Sequence, residues 1–462
     1  MSLNSFVTAD GGEMGRAQVV QARAAGVEPE VAMNPVLLKP GTDTTSQIIV
    51  LGHPVGELDS SRNWSSKAQL LDLVVDAYRL LASRHDVVIC EGAGSPAEIN
   101  LRDGDIVNFG FARAANVPAV LVGDIDRGGL FASLIGTMAV LDHADQDLVQ
   151  GFIVNKFRGS KDLLQAGIDR LGALTDRPTF GVVPYRRGLE LDTEDATDFS
   201  AWADAAPPQG EETLSVGVVV LPRASNLTDV DPLVGEPGVV VRPLYGPEEM
   251  RDCDLVIVPG TRATVSDLHW LRARGFADSL ARRASEGRAI LGICGGYQML
   301  GRTIDDEVES ASGRTEGLGL LPVCTEFERD KVLAQVVRVL DDGEVVRGYQ
   351  IHHGRVTVDG GEPFFADEGC RVASVVGTTW HGLFENDVWR RRFLVDIATR
   401  ARRRFVPAND HCFADRREAR IDALADLVEE NLDVAALSAL LSDGVRPARR
   451  AVTLGLGAPL DG

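Results

Sequence analysis

Two hydrophobic periodicities alternate along this chain. Short aliphatic and β-branched runs bounded by Gly, Pro or Asp read as buried parallel strands. In the first half they are 86–90 (DVVIC), 118–123 (PAVLVG) and 151–155 (GFIVN). In the second they are 216–221 (VGVVVL), 254–258 (DLVIV) and 289–293 (AILGI). Helical spacing fills the gaps. Between Ser65 and Arg84 the apolar residues Leu70, Leu71, Val74, Ala77, Tyr78 and Leu81 share one helix face, with Ser65 or Ser66 as its cap. Alternating strands and helices predict an α/β chain with doubly wound sheets.

The pattern breaks at 201–213 (AWADAAPPQGEET), where Pro207, Pro208 and Gly210 predict a linker. The 462 residues are too many for one ordinary core. The expected division is therefore a first domain over 1–200 and a second over 214–400. An Arg-rich helical extension, 401–462, follows, in which Ile421 to Leu432 is amphipathic. Its last fifteen or so residues read as a loose tail.

Charge and cysteines narrow the chemistry. Lys and Arg total 47 against 68 Asp and Glu, a net charge of −21. That argues against a nucleic-acid partner, whose affinity rests on phosphate neutralisation. An anionic small molecule in a locally basic pocket stays open, as does a homo-oligomer. No apolar run reaches bilayer length and no signal-peptide pattern opens the chain, so a cytoplasmic protein without membrane contact is expected. The six cysteines form no Cys-x-x-Cys pair and none stands at metal-ligand spacing with the eight histidines. Neither a disulfide framework nor structural zinc is expected.

One cysteine has a different setting. Residues 289–300 read AILGICGGYQML: a strand runs into Gly292-Ile293-Cys294-Gly295-Gly296, and a helical pattern follows. This is a strand–nucleophile–helix turn, with glycines where the turn is tight and a substrate backbone must come close. A helix N-terminus favours the thiolate, and the Gly295 amide would face a developing oxyanion. The segment resembles class I glutamine amidotransferases, in which the glutamine four residues after the nucleophile contacts substrate; Gln298 stands there. Residues 377–386 (GTTWHGLFEN) resemble the catalytic-histidine segment of the corrinoid amidotransferases, which makes His381 the base. Ordinary class I members place a glutamate two residues beyond the histidine, where this chain has Leu383. The expected site is a Cys–His dyad, with Glu385 the alternative orienting group. Pro259-Gly260-Thr261-Arg262 resembles the oxyanion loop and nominates the Gly260 amide as second donor.

Ammonia released from L-glutamine needs a consumer. A carboxylate resists amination until it is activated, usually as an acyl phosphate made from ATP. Glu91, in DVVICEGAGS, resembles the magnesium-binding glutamate of dethiobiotin-synthetase-like ligases, and Asn155 resembles their base-recognising asparagine. The runs 3–18 (LNSFVTADGGEMGRAQ), 34–40 (NPVLLKP), 91–103, 124–129, 317–322 (GLGLLP) and 349–355 (YQIHHGR) are together similar to the cobyric acid synthase family, in register from Ser2 to about Leu432. The resemblance implies ATP- and glutamine-dependent amidation of a corrinoid polycarboxylate, with ATP and Mg2+ required. It also nominates Arg16, Lys39, Arg102 and Arg127 for substrate carboxylates or nucleotide phosphates; ordinary ion pairing accounts equally well for each alone. Two enzymes compete, the sibling cobyrinate a,c-diamide synthase and a peptidoglycan-precursor amidating subunit. A partner-binding remnant competes from another class.

That family opens with a strand and a phosphate loop ahead of LNSFVTADGG, and this chain contains no Gly-Lys dipeptide. The loop's amides and lysine would cradle the phosphates. The expectation is a truncated P-loop domain as written. Either the recorded start is an internal methionine, the favoured explanation, or the chain is shortened and couples poorly to ATP.

Overall fold

The computed structural model describes residues 3–40, 45–59, 67–189, 199, 202, 206–446 and 450–453. Ser65 and Ser66, the expected helix caps, lie outside them. The chain forms two compact units, Met1–Arg62 with Glu190–Glu418, and Asn63–Leu189 with Ala419–Gly462.

In the first unit the N-terminal segment forms a hairpin of β1 (Ser5–Val7) and β2 (Glu13–Gly15), then a meander of β3 (Val36–Pro40), β4 (Thr45–Val50) and β5 (His53–Asp59). The second unit holds a parallel sheet, β6 (Ala119–Asp124), β7 (Val149–Phe157) and β8 (Thr179–Pro184), in that order. Helices Lys67–Ala82, Leu130–Val140 and Lys161–Thr175 accompany it, and Met138, Phe152, Val154 and Leu171 are fully buried in its core.

The rest of the first unit is built on β9 (Leu214–Val219), β10 (Val239–Leu244), β11 (Leu255–Val258) and β12 (Ala289–Ile293). A separate sheet then follows: β13 (Thr303–Asp306), β14 (Gly313–Glu316) and the long hairpin of β15 (Val323–Val339) with β16 (Val345–Val358). Finally β17 (Cys370–Val372) and β18 (Val375–Thr378) return to the first sheet, completing the order β10-β9-β11-β12-β18-β17. All its pairings are parallel except β17 with β18. Strands β9, β11, β12 and β18 are buried at every position, which is why they read as continuous apolar runs instead of alternating ones.

Three expectations change. Residues 1–200 do not form one unit. Val7, Tyr349 and Ile351 make a small core with Phe6 and Leu333, which joins the N-terminal hairpin to β15 and β16. The 86–90 run is not a buried strand. It has no regular structure, and Val87 and Ile89 are 47% and 92% exposed. A β-branched run becomes a buried strand only where neighbouring strands take up its backbone groups, and β6 is the edge of its sheet. The linker and tail are also more engaged than expected. Trp202 is buried against the main core, and the Arg450 and Val452 carbonyls accept from Arg177 and Gln146. The extension is helical at Phe413–Asn431 and Val434–Asp443. Among the described residues no helix is long and apolar enough to cross a membrane.

Candidate active site

Four neighbouring parallel strands of the larger sheet deliver the site at their carboxyl ends, the place where open α/β sheets bind ligands. Strand β12 ends in Cys294, whose backbone is forced to φ 49°, ψ −108° before the helix Gly295–Leu300. The left-handed region is costly for a residue with a Cβ and persists only where its surroundings hold it. Here a hydrogen bond from the Cys294 amide to the Thr378 carbonyl, 2.8 Å, fixes the turn. A Cβ at Gly296 would lie 2.0 Å from the Val258 carbonyl oxygen, and one at Gly295 would lie 2.7 Å from Thr261 Cγ2. The close approach that requires glycine is thus made by the protein's own β11 loop.

Because Ile293 pairs with Thr378, the adjacent β18 carries His381 to the same end. Its backbone is bonded in both directions to Tyr349 of β16, and the Tyr349 ring stacks on the imidazole at 5.2 Å. His381 Nδ1 lies 2.7 Å from Asp229 Oδ2, while the Gly382 amide donates to Asp229 Oδ1, also at 2.7 Å. Asp229 follows β9 in a short 3₁₀ turn, Leu227–Val230, and is buried. Burial alone would drive His381 neutral. The Asp229 carboxylate, then the Cys294 sulfur, outweigh it and push the imidazole up to about 10. His381 is therefore paired with Asp229 and influenced by the Cys294 sulfur, whereas the sequence suggested a Cys–His dyad with no such carboxylate.

Glu385 does not orient His381. It binds Arg16 at 2.6 Å and Arg417 at 3.3 Å, and these cations hold its carboxyl at about 2 against the opposing effect of burial. Arg16, nominated for substrate, is 1% exposed in that pair.

The β11 loop runs beside the base: a Cβ at Gly260 would lie 3.2 Å from His381 Cε1. Gln298 is 2% exposed; its Oε1 accepts from Thr264 Oγ1 at 3.5 Å, and its Nε2 finds no acceptor among the described residues. Cys294, Gln298 and His381 line one pocket, together with Lys39 and Lys331.

A model of the CobB/CobQ-like glutamine amidotransferase domain matches residues 215–389. A cobyric acid synthase of Streptomyces coelicolor is 55% identical, over 96% of this chain and 89% of its own. One from Frankia casuarinae is 54% identical, over 96% and 90%. The chain belongs to the cobyric acid synthase family. A further member, from Saccharopolyspora erythraea, is 52% identical over 96% of this chain and 88% of its own.

The other residues nominated from the sequence fall in varied settings. Asn155 lies near the end of β7, where its Oδ1 accepts from the Lys156 amide, and Asp124 at the end of the adjacent β6 binds Lys156 at 2.9 Å. Glu91 is exposed in the irregular segment after the 86–90 run. Arg102 is held by the buried Asp145 at 2.6 Å, so ion pairing accounts for it, while Arg127 is exposed. Lys39 binds Glu13.

Asp229 escaped the sequence reading, although it had a signal. An acidic residue soon after the first parallel strand of this sheet sits where catalytic groups collect. Lys331 and Glu13 had none, because only the folded chain brings them together.

Proposed function

We propose that this chain amidates the b, d, e and g side-chain carboxylates of adenosylcobyrinic acid a,c-diamide, with ammonia from glutamine and activation by ATP. The observation that carries the reading is the Cys294–His381–Asp229 triad in a chain homologous to cobyric acid synthases over nearly its whole length.

In the glutaminase reaction the Cys294 thiolate attacks the side-chain amide carbon of glutamine. The amides of Gly295 and Gly260 take the oxyanion charge, and Gln298 positions the substrate. His381, charged and fixed by Asp229, gives its proton to the departing nitrogen, so ammonia leaves and a thioester remains. A water, deprotonated by the now neutral His381, attacks the thioester and releases glutamate.

At the second site the corrin carboxylate takes the γ-phosphoryl group of ATP, and ammonia then displaces phosphate from the acyl phosphate. Asn155, at the carboxyl end of β7, fits a base-recognising role there. The exposed carboxylate of Glu91 suits one ligand of Mg2+, which neutralises phosphate charge when bound. Among the described residues no cluster of three or more His, Cys, Asp or Glu could hold a metal, so its other ligands would come from nucleotide and water.

The test is Cys294→Ser, assayed for corrin amidation with glutamine and, separately, with ammonium chloride. Glutamine-driven turnover and glutamate release should vanish while ammonium-driven amidation persists. Glutamate release at the parent rate, or loss of both activities in a folded variant, would reject the assignment.

A further inference from the structure

The pocket that opens on Cys294 carries a charge that amide hydrolysis does not explain. Lys39 of β3 and Lys331 of β15 both line it. Their ammonium groups converge on one carboxylate, Glu13, at 2.7 and 2.5 Å. Glu13 is fully buried and each lysine side chain is only 6% exposed. Nearby, Arg262 and Glu309 also line the pocket and neutralise each other as an ion pair. His352 and His353 are kept neutral by burial, which pulls both down to about 4. Two ammonium groups against one carboxylate leave a single positive charge enclosed in the wall.

An enclosed charge without a counter-ion is expensive, so this one asks for an anionic ligand. Lys39 shows the strain. Burial lowers it to about 8 although Glu13 opposes the fall, and Lys331 and Arg262 add to it. Further groups in the same lining also lack partners among the described residues. Gln298 Nε2 is a donor without an acceptor, in a side chain 2% exposed. His352, 9% exposed, donates from Nδ1 to the Gly354 carbonyl at 2.8 Å, which leaves its Nε2 an acceptor without a donor.

We propose that Lys39 and Lys331, held together on Glu13, are the seat of the α-carboxylate of glutamine. The proposal rests on the glutaminase reading of Cys294 and deepens it. The ligand is an amino-acid zwitterion whose amide lies at the nucleophile. Its carboxylate meets the surplus cation. Lys39 then acts on glutamine, not on a corrin carboxylate or a nucleotide phosphate. The N-terminal segment, which ordinary reading assigns to the synthetase, completes the specificity of the glutaminase.

The experiment compares L-glutamine with 4-aminobutyramide, the same amide without the α-carboxylate, in parent enzyme, Lys331→Met and Lys39→Met. Each substitution leaves Glu13 in a neutral pair with the other lysine, so folding should survive; thermal melting checks this. For L-glutamine each variant should lose about 10- to 100-fold in kcat/KM through KM, as for a charge-assisted hydrogen bond. For 4-aminobutyramide the change should stay within about threefold, since no carboxylate contact is lost. If the decarboxylated amide turns over too slowly, its binding is read as protection of Cys294 from iodoacetamide. Equal losses for both amides, or no loss for L-glutamine, would overturn the proposal. So would a rise in KM confined to ATP or the corrin. A chloroketone analogue of glutamine separates the two levels: failure to label Cys294 in the parent enzyme rejects the glutaminase reading, and this seat with it.

Discussion

The guanidinium of Arg16 lies 2.6 Å from the carboxylate of Glu385, four residues beyond His381. Arg16 is 1% exposed and also sits over the Phe6 ring at 5.4 Å. A few residues earlier, the Ser5 amide donates to Asn226 Oδ1 at 2.8 Å, on the turn that leads to Asp229. The N-terminal segment is thus tied to side chains of the two segments that carry His381 and Asp229.

Glu385→Gln should therefore act on stability and not on chemistry. Removing one partner of a buried pair typically costs about 3–5 kcal/mol, because the other charge stays behind unmatched. Glu385 keeps some solvent access, 25%, which places the expected loss at the lower end, about 3 kcal/mol. Urea unfolding measures the loss. Glutamate release at a temperature where the variant is folded should stay within about fivefold of the parent, since no proton-transfer partner is removed. A loss as large as that of a His381 variant would return Glu385 to the catalytic machinery.

Asp229→Asn should act on chemistry as well as on stability. The buried pair loses its negative partner, and at a temperature where the variant is folded glutaminase kcat should fall by about 100- to 10,000-fold, the span seen when a general base loses its orienting partner. Its pH profile should change shape as well. The Asp229 charge is the main cause that raises His381 to about 10. Without it the imidazole loses its proton at lower pH, so the alkaline limb of activity should move in the acid direction. An unmoved limb would show that Asp229 does not set the charge state of His381.

Much of this was legible in the sequence, for a physical reason. Strands buried on both faces carry continuous apolar runs, so β9, β11, β12 and β18 could be read directly. Cys294 and His381 follow two of them, at strand ends where loops are free to carry chemistry. The 86–90 run has the same composition yet stays exposed, because burial is supplied by neighbouring strands and not by the run itself. Asp229 follows the first strand of the sheet, a weak signal, and only the fold sets it 2.7 Å from the imidazole. Glu13 and Lys331 are 318 positions apart, and no local pattern records such a pairing.

Glu13→Gln should be among the most destabilising single changes in the first unit. The Glu13 carboxyl is held far below the ordinary carboxylate range; burial opposes this, and Lys331 and Lys39 overcome it. Replacing it leaves two buried ammonium groups facing each other without a counter-charge, a loss of about 3–5 kcal/mol. Lys331→Met, which relieves the surplus charge, should be neutral or stabilising in the absence of glutamine. Denaturant midpoints of the two variants without ligand would decide between this ordering and its reverse.

The last expectation concerns stability against pH, where two groups pull in opposite directions. His381 titrates near 6.5 when unfolded and about 10 when folded, so the folded state binds the extra proton between those values. Its contribution is complete below pH 6.5 and is lost as pH rises toward 10. Lys39 runs from 10.5 unfolded to about 8 folded, so the unfolded state binds the extra proton there. Stability from that group rises with pH between 8 and 10.5. His352 and His353, lowered to about 4, have made most of their change by pH 6.5 and the rest by about pH 7.5. Between pH 6.5 and 8, then, the loss at His381 outweighs the small gain still to come from them. The urea midpoint of the parent should fall across that interval, and that of His381→Gln should stay nearly level. Parallel slopes for the two proteins would mean that His381 is not held charged by Asp229 and Cys294, which would remove the electrostatic basis of the triad.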